Sequence, residues 1–324
     1  MPAMGSSPDS FRAAASVVVA HDWLVPDLRD DDVAEMTRYL TEASDAISSW
    51  FPDVEWVPAW QSEAARERAE AVQGPSGPWG DMPVRTAYAA AAFLLEAVLQ
   101  CVRALSGALT AEATPYVANC LARSALEAGS QAWWLLEPGI GAQRRVARFL
   151  LVRARSARAV QDTAKTLGVK PGDYGETVAT VLEHAAALGF ELVSAGKGRR
   201  WSCGVDELPS YTARARAFEQ ALRTRGSYGI YSGSAHAEWH AIISGWQLPQ
   251  IPGDVQSLLV KAPDRVALWS AVFNTVNAGL EVSRRALDLL GRRARLLDLY
   301  YLSGNALALM RRMELPRDWS SDTS

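Results

Sequence analysis

Residues 115–137 read PYVANCLARSALEAGSQAWWLLE, and Arg123 and Glu127 are the only charges between Glu112 and Glu137. Apolar residues recur at helical spacing, and Pro115 stands where a first helical turn tolerates its missing N–H. A helix with so few charges has no broad solvated face, so its place is inside a bundle rather than on a surface. Residues 84–109 repeat the pattern, with Glu96 the only charge between Arg85 and Arg103.

Outward from these two segments, helical periodicity predicts helices at about 142–167, 174–193, 209–224, 229–246, 263–290 and 292–313. Strand-like runs are few and no repeat has a fixed period, which argues against an α/β sheet or a helical-repeat array. The expected fold class is all-α: a multi-helix bundle with an irregular N-terminal region and few or no strands. Residues 1–83 read as an acidic N-terminal helical extension with a Gly/Pro-rich connector, GPSGPWGDMP at 74–83, whose three glycines and three prolines impose turns. Asp30 or Asp31 is positioned to cap a helix running to about Trp50, and a second helix follows within SEAARERAEAV. Residues 84–314 read as the principal helical bundle and 315–324 as a flexible tail. SAGKGRRWSCGVDELP at 194–209 and GWQLPQIPGD at 245–254 are the main interruptions.

The chain has 324 residues, 49% hydrophobic, enough to bury a large core without disulfides. Its three cysteines, Cys101, Cys120 and Cys203, form neither a disulfide framework nor a CxxC knuckle, and core thiols are the simpler reading. A net charge of −3 argues against wholesale coating of a polyanion. Between Asp22 and Glu70 there are 13 acidic and four basic residues. QRRVARFLLVRARSARAVQDTAK at 143–165 carries Arg144, Arg145, Arg148, Arg153, Arg155 and Arg158. These arginines suit phosphates or the acidic segment equally, and without a nucleic-acid-binding motif, nucleic acid is not an expected partner. No charge-free stretch reaches the roughly 20 apolar residues of a bilayer span. No secretory signal is evident, so a cytoplasmic location without membrane attachment is the default. The segment GRRARLLDLYYLSGNALALMRRMEL at 291–315 is amphipathic and suits a partner helix or a homo-oligomer interface.

Three polar groupings carry the chemistry. Asn119, Arg123, Glu127 and Ser130 fall near one helical face at 100° per residue. Leaving either charge unpaired in an apolar helix costs several kcal/mol, so the pattern predicts a satisfied pair or a ligand contact. In RGSYGIYSGSAHAEWHAIISGW at 225–246, Tyr228, Ser232 and His236 share a direction, with Tyr231 and His240 nearby. His236 and His240 have a spacing that permits joint metal ligation, but HAEWH is not HExxH, and a third ligand has to come from Glu96, Glu127 or Glu281. No metal ligands are assigned and no cofactor is predicted; a transition metal is a lower-ranked alternative. Ser232 before His236 lacks the nucleophile elbow of hydrolases. Asn274, Asn277 and Glu281 add a third polar stripe, suited to a ligand or to a buried network. Nucleotide-binding glycine loops and paired ExxH ligands are absent.

The patterns RSALEAGSQAWWLLE and YGIYSGSAHAEWH, over about residues 85–290, resemble an uncharacterised bacterial all-helical family with an Arg-x-x-x-Glu helix followed by a Tyr/Ser/His helix. Some such proteins resemble helical ribonuclease or nucleotide-binding domains, but an Arg four to six residues before His236 is missing. The combined expectation is a small-molecule-binding helical enzyme acting on an anionic or polar substrate. Arg123 places the anion, His236 and Glu127 supply acid–base chemistry, and Tyr228, Tyr231, Ser232, His240, Asn274 and Asn277 contact the ligand. A non-catalytic regulatory or interaction domain using these groups as a structural network is the alternative. A metal-dependent hydrolase or nucleic-acid-processing protein ranks lower.

Overall fold

The charge-poor segment at 115–135 forms the central helix. The computed structural model describes residues 30–49, 57–71, 80, 82–111, 115–195, 200–224, 226–236 and 265–292. In chain order the helices are α1 (Asp30–Ser49), α2 (Glu63–Glu70), α3 (Met82–Thr110), α4 (Pro115–Leu135), α5 (Gly141–Leu167), α6 (Pro171–Tyr174) and α7 (Val178–Ala187). The strands β1 (Leu192–Ala195), β2 (Arg200–Cys203) and β3 (Asp206–Glu207) come next, then α8 (Tyr211–Ala221), α9 (Ser227–Ala235) and α10 (Arg265–Leu289). The described chain is an all-α multi-helix bundle with one small sheet, as the periodicity predicts.

Helix α4 packs against α3, α5, α8, α9 and α10, and Ala122, Ala125, Leu126 and Leu135 are fully buried. Small residues allow this crowding. A Cβ on Gly129 would sit 3.0 Å from Phe218 Cε1 and 3.3 Å from Ala278 Cβ, so the glycine sets how closely α8 and α10 approach. Helix α3 packs on α1, α4, α5 and α10, burying Leu95, Val98, Leu99 and Leu105. By length and composition α3 is apolar enough to cross a membrane, which the count of charge-free residues did not foresee. Met36, Leu40 and Ile47 of α1 join the same hydrophobic core as α3, α4 and α10.

The structure departs from the predicted helix at 174–193. Thr177 Oγ1 accepts from the Thr180 N–H and starts α7 afresh, and the Phe190 N–H donates back to Ala185 O and closes it. The chain then enters an antiparallel sheet in the order β1-β2-β3, with Leu192 opposite Cys203 and Cys203 opposite Asp206. The interruption at 194–209 therefore contains structure. It buries Trp201 and Cys203 and places Asp206 against α5. At the far end of the bundle α10 finishes on Gly291 at φ +70°, with the Arg292 N–H donating to Leu287 O and the Gly291 N–H to Asp288 O. The Ala59 N–H donates to Leu290 O and ties the segment before α2 to this end.

Candidate functional site

Glu127 lies on α4 one turn after Arg123, and the Arg123 Nε–H donates to Glu127 Oε1 at 2.8 Å. Helix α9 brings Tyr228 to the same oxygen, where its hydroxyl donates at 2.9 Å. The guanidinium of Arg123 also lies 5.9 Å from the Tyr228 ring centroid. Both donors take one oxygen, and Oε2 of Glu127 has no hydrogen-bond partner among the described residues. The pair is not sealed, with side-chain exposures of 19% for Arg123 and 27% for Glu127. Burial pushes the Tyr228 hydroxyl up, reinforced by its bond to Glu127. Burial works against the Arg123 charge, but the hydrogen bond and charge of Glu127 outweigh it and raise the guanidinium above its ordinary value. The result is an oriented carboxylate with one fixed oxygen and one open oxygen.

Helix α9 is held by a polar seam. Glu219 of α8 accepts from the Tyr228 N–H at 2.6 Å, so a carboxylate caps the first turn of α9. Burial raises Glu219 despite the backbone hydrogen bonds that oppose it. Ser227, Tyr231 and Ser234 recur at spacings of four and three, which puts them on one face. Asn274 Nδ2 lies 2.7 Å from the Tyr231 hydroxyl and 3.3 Å from Ser227 Oγ, and it donates at 2.9 Å to Ser270 O. A carbonyl only accepts, so Ser270 O fixes which amide atom is nitrogen. The Tyr231 hydroxyl also meets Ser270 Oγ at 3.0 Å. Asn119 of α4 closes the seam by donating to Ser234 Oγ at 3.1 Å. Ser130, predicted on the Arg123 face, donates to its own helix at Glu127 O.

Of the other predicted residues, Ser232 and Asn277 are half-buried, and His236 is exposed at the C-cap of α9. No hydrogen bond joins the His236 ring to Arg123 or Glu127. His240 lies outside the described residues. The three carboxylates weighed as a third metal ligand are each held by an arginine: Glu96 by Arg103, Glu127 by Arg123 and Glu281 by Arg284. Among the described residues no three His, Cys, Asp or Glu side chains gather as a metal site.

A second Arg–Glu pair carries a different burden. Arg145 is fully buried and donates to Glu67 through Nε at 2.5 Å and NH2 at 2.6 Å, while the Tyr88 hydroxyl donates to Glu67 Oε2 at 2.8 Å. Arg145 also donates to Leu135 O and Glu137 O, so both oxygens of Glu67 and both terminal nitrogens of Arg145 are used. Charge alternation within SEAARERAEAV hides this pair, because only burial distinguishes Glu67 from its neighbours. Sequence reasoning also missed Gln131 and Arg214. Arg214 is 3% exposed and donates through NH1 to Pro209 O at 2.9 Å and through NH2 to Gln131 Oε1 at 3.1 Å. Neither stood out, since TARARAFEQ resembles an ordinary solvated helix. The chain matches no protein-family model, no curated protein and no solved structure.

Proposed function

We propose that this chain is a small-molecule-binding helical protein whose central polar contact is Glu127 Oε2. The observation that carries the reading is the one-sided satisfaction of Glu127: Arg123 and Tyr228 hold Oε1, and Oε2 is left for an incoming donor. A ligand hydroxyl or ammonium suits that oxygen, because the fixed carboxylate needs no rearrangement to accept its hydrogen. The same oxygen can take the proton in an acid–base step, with His236, at the C-cap of α9 two turns beyond Tyr228, as a partner acid–base group. The Tyr231–Ser270–Asn274 cluster holds α9 in place rather than contacting the ligand, since these groups bond one another.

Thermal-shift measurement of the full chain against amino acids, hydroxy acids and sugar phosphates tests the proposal. At least one compound is expected to raise the melting temperature of wild type and not of Glu127→Gln, which keeps an acceptor for Arg123 and Tyr228 but loses the charge. If no compound shifts wild type, or if Glu127→Gln responds equally, the proposal fails. Turnover of the compound that binds separates an enzyme from a non-catalytic sensor.

A further inference from the structure

Helix α5 carries six arginines, and the structure supplies a carboxylate to all but one. Arg144 and Arg148 share Asp206, Arg145 holds Glu67, Arg153 holds Glu176, and Arg158 pairs with Asp162. Arg155 has no carboxylate within ion-pair distance among the described residues. Its neighbour is Arg214, another cation without an ion-paired carboxylate among the described residues. Arg155 NH1 donates to Pro209 O at 3.4 Å, the same carbonyl that Arg214 uses, so the two guanidinium groups are adjacent. Both lie over the Tyr211 ring, at 3.8 Å and 4.8 Å from its centroid.

Arg214 has almost no access to solvent, and its Nε–H is buried without an acceptor. Burial and the like charge of Arg155 push its guanidinium down to about 10. Two adjacent guanidinium groups without an ion-paired carboxylate among the described residues, one of them nearly sealed and offset only at longer range by Glu127, repel each other and favour an anion between or beside them. The groups sit at the N-terminal turn of α8, where Ser210 Oγ already accepts from the Ala213 N–H and the earlier amides have no partner within the helix. The positive end of the helix adds to the same field.

We propose that Arg155, Arg214, Tyr211 and the first turn of α8 form a subsite for a phosphate group. Two cationic charges match a dianion, and paired guanidinium groups present enough N–H donors for its oxygens. The subsite uses none of the Glu127 hydrogen bonds, although the charge of Glu127 acts on the Arg214 guanidinium and favours its charged form.

Isothermal titration calorimetry of the full chain, at low ionic strength in phosphate-free buffer, tests the subsite with inorganic phosphate. Saturable binding is expected in wild type and in Glu127→Gln, at least tenfold weaker binding in Arg155→Gln and Arg214→Gln, and no change in Arg158→Gln. Acetate, a monoanion, is expected to bind at least tenfold more weakly than phosphate. Glycerol 3-phosphate is the second arm: tighter binding than inorganic phosphate assigns the site to a phosphate ester, and weaker binding assigns it to the free ion. If Arg214→Gln loses its helical circular dichroism, the half-buried Arg155 decides alone. Absence of saturable phosphate binding, equal binding of acetate, or equal weakening by Arg158→Gln overturns the proposal. Phosphate binding together with no ligand response that distinguishes wild type from Glu127→Gln refutes the function proposed for Glu127 and leaves the subsite standing.

Discussion

Replacing Glu67 or Glu127 by glutamine removes one carboxylate charge from an Arg–Glu pair, yet the two changes are expected to act on different properties. Glu67 is 2% exposed and Arg145 is fully buried, so Glu67→Gln leaves the guanidinium with only the more distant Glu63, at 3.7 Å, to balance its charge. Loss of one partner from a buried pair costs about 3–5 kcal/mol. The glutamine amide also points two donors into a site filled by Arg145 and Tyr88 donors. Glu127→Gln is milder, because the pair is partly exposed and spans one helical turn. An i,i+4 pair contributes about 0.3–0.5 kcal/mol and the Tyr228 hydrogen bond about 1 kcal/mol, most of which glutamine retains. Urea unfolding followed by circular dichroism measures both variants. Glu67→Gln should lower the midpoint sharply, with ligand response unchanged at temperatures where the variant is folded. Glu127→Gln should shift the midpoint by less than about 1 kcal/mol equivalent and abolish the ligand response. If Glu127→Gln destabilises as much as Glu67→Gln, the Arg123–Glu127 pair is a structural element and the proposed site is wrong.

Asp206 gives a pH signature. Burial raises its carboxyl, but hydrogen bonds and charges from Arg144 and Arg148 prevail, and the group sits below its ordinary 3.8. Its stabilisation is complete above that unfolded value and is lost as pH falls through the lower folded value. Asp206→Asn should therefore be less stable than wild type at neutral pH, and the gap should close in acid unfolding titrations; a gap independent of pH refutes the assignment. Gly291→Ala should cost more than about 1 kcal/mol in thermal or urea unfolding, since φ is +70° and the new Cβ would lie 2.9 Å from Ser62 Cβ. Replacing Arg145 and Glu67 together by Met and Leu should recover most of the loss from Glu67→Gln, because an apolar pair removes the stranded charge; a double variant as unstable as the single one contradicts this.

Local chemistry made much of the bundle readable. Sparse charge at 84–109 and 115–137 marked the two helices that carry the core, and the four-residue spacing of Arg123 and Glu127 is enough to pair them. The Tyr228 contact was legible only in part. Its helix and direction follow from periodicity, but its arrival on Glu127 Oε1 depends on how α9 crosses α4. Spacing grouped Tyr228, Ser232 and His236 on one face, and the structure grades that face from buried Tyr228 to exposed His236, because α9 ends at Ala235. The sheet at 192–207 falls on the end of the helix expected at 174–193 and on the interruption expected at 194–209, since its strands are too short for alternation to be distinctive.

The sequence by itself determined most of the described helices and which two must lie at the centre, because periodicity and charge content are local properties that burial acts on directly. Tertiary structure alone decided which charges are neutralised. Residues as far apart as Glu67 and Arg145, or Asp206 and Arg148, meet only when helices and hairpin pack. Coulomb energy depends on separation in space and on exclusion of water, neither of which chain position encodes. Among the described residues the same packing leaves Arg155 and Arg214 without an ion-paired carboxylate and Glu127 with one open oxygen, and those groups carry both functional proposals.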